Sequence, residues 1–262
     1  MGNDALRVLI DEGLTTPFEG WDFTRFEGRL PDPREILPWS YERLVRERLP
    51  RVGSLLDLGT GGGELLSSLG PLPARVAATE GYPPNVPIAS RRLEPLGVTV
   101  VEPGEDGRLP FPDASFQLVV SRHTAYDPAE LRRVLTEDGV FVTQQVGGRD
   151  LEEVNAALGA PPHTYRGFSL ASAVAELTSG GFAVDWQEEA LVGDQISDIA
   201  ALVLFLRITP WHVPDFDVDR YAERLDALHQ RMSNGQPMRV SCHRFALIAH
   251  PLPEPAARPD SA

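Results

Sequence analysis

Asp57, Gly59, Gly61 and Gly63 stand at alternate positions of the stretch Leu55-Leu56-Asp57-Leu58-Gly59-Thr60-Gly61-Gly62-Gly63-Glu64. An apolar run closed by a carboxylate and followed by four glycines in five positions reads as a buried strand, a tight turn and a helix start, a unit built to receive a ligand. Glycine serves the unusual dihedrals of the turn, and the missing Cβ lets a ligand approach the backbone N–H groups. A phosphate-cradling loop would need Gly-Lys-Ser/Thr, and the chain contains no lysine. A dinucleotide fingerprint would want Gly or Ala at the place of Glu64. The bland alternative is a loop that only turns a corner.

The elements around this loop must place further polar groups at the same edge. Arg75–Thr79 reads as the second strand, closed by Glu80, which lies 21 positions after Gly59 and can accept two ribose hydroxyls at a strand tip. Tyr82 is a stacking candidate beside it, and Pro83-Pro84-Asn85 starts a helix over Val86–Leu93. Val98–Val101 and Phe116–Val120 read as strands three and four. Strand four runs out into Ser121-Arg122-His123, and Asp127-Pro128-Ala129-Glu130 has the form of a capping box opening a helix through Leu135. Gly139–Gly147 is strand five, Leu151–Gly159 and Ser169–Thr178 are helices, and Phe182–Trp186 is strand six. Helices over Ile196–Arg207 and Val218–Met232 precede an alternating last strand, Arg239–Ala249.

The spacing Asp57-x-Gly59-x-Gly61-x-Gly63 resembles motif I of the class I S-adenosylmethionine-dependent methyltransferases. Glu105-Asp106 ahead of Leu109-Pro110-Phe111 resembles the family's adenine-contacting segment. The resemblance implies a Rossmann-like α/β sheet of seven strands, six parallel and the last antiparallel, with an N-terminal helical lid and a helical insertion before the last strand. It implies S-adenosylmethionine as cofactor, held by Asp57, Gly59, Thr60, Gly61, Gly63, Glu80, Gly81, Glu105, Asp106, Ser121 and Arg122. Two departures stand out: Gln117 where the family has aspartate, and Glu137-Asp138-Gly139 in place of Pro-Gly-Gly. The domain expectation is a lid segment over residues 1–50, the methyltransferase domain over 51–250 with its insertion at about 190–235, and a disordered tail over 251–262.

Methyl transfer needs in-line approach and exclusion of water, and a base is optional. His123, at the end of strand four, is the candidate base; the alternative is that it lines the cleft. Trp39, Tyr41, Tyr126, Gln144, His163 and Trp211 are candidate acceptor contacts, and Arg29 and Tyr41 candidate contacts for the cofactor carboxylate. Arg122 could instead pair with Asp127. Of Gln144 and Gln145, one is expected to point into the core. His163, Tyr165 and Arg166 also admit surface roles. The N-terminal aromatics Trp21, Phe23, Trp39 and Tyr41 read either as a wall over the site or as anchors of an arm. Phe205, Trp211, His212 and Phe216 read as pocket walls or as core. His243 has no second histidine at metal spacing, so no metal is expected.

The formal charge of −14, from 38 acidic against 24 basic residues, argues against nucleic acid and for a small-molecule acceptor. A single cysteine, Cys242, excludes an intramolecular disulfide. No apolar run is long enough to span a membrane and no basic leader opens the chain, so a cytoplasmic protein is expected, its oligomeric state open. Two competing functions remain at this point: methylation of RNA or protein, and a cofactor-binding regulator without catalysis.

Overall fold

The computed structural model describes residues 2–19, 24–104 and 107–253. Trp21, Phe23, Glu105, Asp106 and the tail from Glu254 lie outside the described residues. In chain order the elements are α1 (Gly2–Thr15), α2 (Tyr41–Arg46), β1 (Ser54–Leu58), α3 (Glu64–Ser68), β2 (Arg75–Thr79), α4 (Val86–Leu93), β3 (Thr99–Val101), β4 (Phe116–Arg122) and α5 (Pro128–Val134). They continue with β5 (Leu135–Val146), α6 (Glu152–Leu158), α7 (Leu170–Ser179), β6 (Phe182–Ile196), α8 (Ile199–Ile208), α9 (Ala222–Ser233) and β7 (Met238–Pro251). The strands form one sheet in the order β3-β2-β1-β4-β5-β7-β6, with β7 antiparallel, as the resemblance implied.

β1 is buried along its whole length and pairs in parallel with β2 and β4, so its apolar run needs no polar face. That central position brings the tips of β1, β2 and β4 to one edge of the sheet, where ligands bind in open α/β folds.

Several boundaries differ from the sequence reading, each for a physical reason. β5 begins at Leu135 and not at Gly139: between the pairs Phe116–Leu135 and Leu118–Val140, β4 advances two residues and β5 five, so the turn-like Glu137-Asp138-Gly139 bulges without ending the strand. β6 runs on to Ile196, well past Trp186, because an edge strand tolerates the polar Gln187-Glu188-Glu189. α8 starts at Ile199 because Asp198 caps it, accepting the Ala201 N–H at 3.0 Å. The capping box at α5 is half formed. Asp127 accepts from the Ala129 N–H at 2.8 Å, whereas Glu130 turns away to Arg133 and the Leu109 N–H.

The chain divides into two compact units. One comprises Tyr41–Gln144, Ala171–Gln187 and Ala246–Ala262, and its core gathers Leu55, Leu66, Leu93, Leu118 and Val142. The other comprises Met1–Ser40, Gln145–Leu170 and Glu188–Phe245, with a core of α8 residues together with Leu6, Val154, Leu158, Leu225 and Cys242. In this second unit α1 is fastened to α8. Gly13 faces Ala200 and Val203 so closely that an added Cβ would stand 2.6 Å from the Ala200 carbonyl. Arg207 donates to the carbonyls of Leu14 and Thr16 at the C-terminal end of α1. Arg29, expected at the cofactor carboxylate, is held instead by Glu12 and Asp198, each at 2.7 Å. The Cys242 thiol is fully buried, which pushes its pKa up to about 12.

Candidate functional site

The glycine loop closes between β1 and α3 with positive φ at Gly59 (62°), Gly61 (64°) and Gly63 (81°), a region that side chains resist. A Cβ on Gly59 would lie 1.9 Å from Thr124 Oγ1, and one on Gly63 would lie 2.8 Å from Leu93 Cγ. The first glycine therefore admits the loop after β4, and the last lets α3 pack on α4. α3 has only five residues, so its dipole is short, and the charge of this site rests on side chains.

β2 fixes the loop from the other side. Thr79 accepts the Gly59 N–H on its hydroxyl at 3.2 Å and the Thr60 N–H on its carbonyl at 2.9 Å. Glu80 is buried, with one carboxylate oxygen accepting the Gly61 N–H and the other the Tyr82 N–H, both at 2.7 Å. Burial raises its pKa, against the pull of those N–H groups. Arg92 of α4 ties the loop from behind, donating to the Gly62 carbonyl and the Glu64 carboxylate. Thr79, Arg92 and Thr124 were not singled out from the sequence. Only Thr79, next to Glu80 at the strand tip, left a usable signal there.

Asp57 is 4% exposed, and burial pushes its pKa up to about 6 against the opposing influence of the Thr60 hydroxyl and Arg122. Tyr41 stands in the same electrostatic neighbourhood. Its pKa is raised by burial and by Asp57, and lowered by Arg122 and the Ser121 backbone. The hydroxyls of Tyr41 and Thr60 are buried without a hydrogen bond of normal geometry. A buried acid, a guanidinium and two such hydroxyls thus lie within electrostatic reach of one another, at a place where buried polar groups are almost always satisfied.

Beyond β4 the chain turns sharply. Ser121 Oγ donates to the Thr124 carbonyl at 3.0 Å, and His123 takes a φ of 62° with its N–H on the Gln144 carbonyl at 2.9 Å. The His123 ring is exposed, and its Nε2 lies 3.2 Å from the Gln144 side-chain nitrogen. In the assignment consistent with that contact, the Gln144 amide donates to the Nε2 lone pair. Tyr126 sets its ring edge-on to Phe141 at 4.8 Å, with its hydroxyl buried and without a partner. Asp127 is committed to the cap of α5. Gly81 is exposed with room for a Cβ, and Tyr82 is 60% exposed. A cavity of about 570 Å³ lies beside β3, lined by Glu102, Gly104 and residues 108–112.

The structure thus gathers Asp57, Gly59, Thr60, Gly61, Gly63, Glu80, Gly81, Ser121, Arg122, His123, Tyr41, Tyr126 and Gln144 in one unit. Trp39, His163 and Trp211 belong to the other. There Trp39 is buried and Trp211 exposed. His163 is buried too, stacked on His212 at 5.1 Å, and Phe205 meets His212 edge-on at 5.0 Å. Burial and the neighbouring His163 lower the pKa of His212 to about 4. Tyr165 and Arg166 are on the surface, where Arg166 meets Glu152 at 3.3 Å. Gln144 and Gln145 are both buried. His243 is held by Glu189 at 3.1 Å and by the Arg149 N–H at 3.1 Å, and no cluster fit to hold a metal occurs among the described residues.

Residues 56–143 match the model of a methyltransferase domain family. The solved structures similar to this chain include YcgJ from Bacillus subtilis, 19% identical, with a TM-score of 0.59 over 81% of this chain and 98% of that one. An S-adenosylmethionine-dependent methyltransferase from Aquifex aeolicus is 16% identical, with a TM-score of 0.50 over 88% and 100%. The [4+2]-cyclase SpnF is 18% identical, with a TM-score of 0.52 over 95% and 94%. Comparison with curated proteins yields no significant match.

Proposed function

Because the chain carries a class I S-adenosylmethionine-dependent methyltransferase domain, we propose that it moves a methyl group to an O, N or C nucleophile of a small-molecule acceptor. The observation that carries the reading is the Glu80 carboxylate, fixed by the N–H groups of Gly61 and Tyr82 beside three glycines of positive φ. That arrangement fits the cofactor: a backbone cradle, a preset acceptor for ribose hydroxyls, and a buried acid with two hydroxyls for its amino-acid end. When bound, S-adenosylmethionine supplies an electrophilic methyl on a sulfonium.

The residues of this chain divide the remaining work. Asp57 holds the ammonium, Arg122 and Tyr41 the carboxylate, and Glu80 the ribose, while Glu105 and Asp106 are assigned to the adenine. Ser121 fixes the turn that carries Thr124 onto Gly59. Tyr126 and Gln144 are the acceptor contacts we assign in this unit. His123 lines the acceptor side with its Nε2 engaged by Gln144, and the acceptor proton leaves to solvent. The charge of −14 supports a small-molecule acceptor over nucleic acid. No helix among the described residues is long and apolar enough to cross a membrane.

The test is calorimetric titration with S-adenosylmethionine and S-adenosylhomocysteine, on wild type and Glu80→Ala. Micromolar binding of both that is lost in the variant supports the reading, and a screen of hydroxylated and amine metabolites with labelled methyl donor then follows. Absence of binding refutes it. Binding with no transfer to any small molecule, but transfer to RNA or protein, refutes the acceptor class alone.

A further inference from the structure

The loop that follows α6 turns one side chain inward. Residues 161–167 are exposed except His163, which is 8% exposed and stands where a loop ordinarily buries an apolar anchor. The Tyr165 N–H donates to His163 Nδ1 at 3.3 Å, so that nitrogen offers its lone pair and Nε2 carries the ring proton. This Nε2–H is buried and has no hydrogen-bond partner among the described residues.

Asn155 of α6 supplies the complementary group. Its amide nitrogen donates to the Pro161 carbonyl at 2.7 Å and to the His212 carbonyl at 2.9 Å, which fixes the side chain's orientation and leaves Oδ1 to accept. Asn155 is 3% exposed, and its Oδ1 too is buried without a partner. His212 joins the two residues, bonding Asn155 through its carbonyl and stacking its ring on His163. The His212 Nε2–H is committed elsewhere, to the Leu151 carbonyl at 3.2 Å.

One donor and one acceptor are thus unpaired in a single buried cluster, an uncommon arrangement in a folded protein. A hydroxyl answers both, its oxygen accepting from His163 Nε2–H and its proton going to Asn155 Oδ1. A carbonyl or ether answers only the donor, and an ammonium only the acceptor. The surroundings are rings: His163 lies on His212, Phe205 meets His212 edge-on, and the nearby Tyr165 and Trp211 are exposed. Such faces favour a flat, aromatic carrier for the hydroxyl. The loop is closed by its own backbone bonds, Arg166 N–H to the His163 carbonyl at 3.1 Å and Phe168 N–H to the Tyr165 carbonyl at 2.8 Å, so it can lift as one piece.

We propose that His163 and Asn155 form a binding subsite for the hydroxyl of a small aromatic molecule of the phenol class, entered when the 161–167 loop lifts. The subsite lies wholly within the unit built on α8 and stands apart from the cofactor reading.

The experiment titrates the full chain with phenol, toluene and cyclohexanol, by calorimetry and by nitrogen-15 spectra of the histidine side chains. Phenol is expected to bind at least about tenfold more tightly than toluene and to shift the His163 Nε2 resonance. His163→Phe keeps a ring to stack on His212 and removes the unpaired donor. It should melt no lower than wild type and bring phenol down to the affinity of toluene. A lower melting temperature with the phenol-to-toluene ratio intact would assign His163 a structural role alone and overturn the proposal. Absence of phenol binding to wild type overturns it as well, as does cyclohexanol binding as tightly as phenol. Should His163→Phe fail to fold, the wild-type ratio and the Nε2 shift decide: a ratio near one or an unmoved resonance overturns the subsite. S-adenosylhomocysteine is titrated separately, and its failure to bind leaves this result standing.

Discussion

The Gly61 N–H donates to the Glu80 carboxylate at 2.7 Å, joining the glycine loop after β1 to the acid at the tip of β2. In the proposed reading one residue serves the backbone and the ligand together. Gly61→Arg sets a large side chain at a φ of 64°, at a cost of about 1–2 kcal/mol. In a chain of this size that strain alone shifts the melting temperature by about 2–8 °C, and S-adenosylhomocysteine affinity should fall by about a hundredfold or more. Thermal melts and calorimetry on the same samples check both halves, and unchanged affinity would refute the placement of the loop.

Gly59 and Thr124 form a second coupled pair. Gly59→Ala drives a Cβ to 2.6 Å from Thr124 Cβ, and the expected destabilisation is about 2–3 kcal/mol. Adding Thr124→Gly should return the steric part of that loss and leave the strain of the positive φ. A double-mutant cycle by urea unfolding measures the coupling, which additive effects would disprove.

If Asp57 holds the cofactor ammonium as proposed, binding depends on pH. Its pKa is raised to about 6 in the folded protein from the ordinary 3.8, so the contribution it makes to stability is full below pH 4 and is lost as pH rises through 6. The change amounts to about 3 kcal/mol over that window. An ammonium brought beside Asp57 favours the ionised form. S-adenosylhomocysteine affinity should therefore increase from pH 5 to 7 and then level off, and Asp57→Asn should flatten the curve.

His212 acts in the opposite direction. Its pKa is lowered from 6.5 to about 4, so its contribution is complete above pH 6.5 and is lost as pH falls through 4. Acid unfolding of His212→Gln should show a shallower pH dependence than wild type between those limits, even where the variant is less stable overall. Parallel curves for the two proteins would exclude His212 as the source.

His123→Ala should lower kcat by less than about tenfold, because the Nε2 lone pair is occupied by Gln144. A loss of about a hundredfold or more, with an inflection near the ordinary histidine pKa in the wild-type pH–rate profile, would assign it the base role instead.

The central half of the fold was legible because local chemistry and long-range packing agree there. β2 and α4 occupy the predicted residues to the letter, one a run of small and β-branched side chains, the other opened by prolines. Legibility fails where a residue's partner is distant in sequence. Arg29 looks free for a carboxylate until Asp198, 169 positions away, takes it. His163 looks like a loop histidine until His212 stacks on it. The extension of β6 was hidden for another reason: an edge strand has few burial demands to impress on its sequence. The glycine loop escaped both problems because its constraints, positive φ and absent Cβ, are satisfied residue by residue.

Cys242, sealed in its core with a thiol pushed up to about 12, gives the chain an internal clock for opening. A thiol reagent near neutral pH meets neither exposed sulfur nor thiolate in the folded molecule, so labelling must wait for the surrounding core to open. The labelling rate, followed without any engineered probe, reports how often the unit built on α8 opens. A bound ligand that slows it would reveal energetic coupling to that unit in the untouched protein.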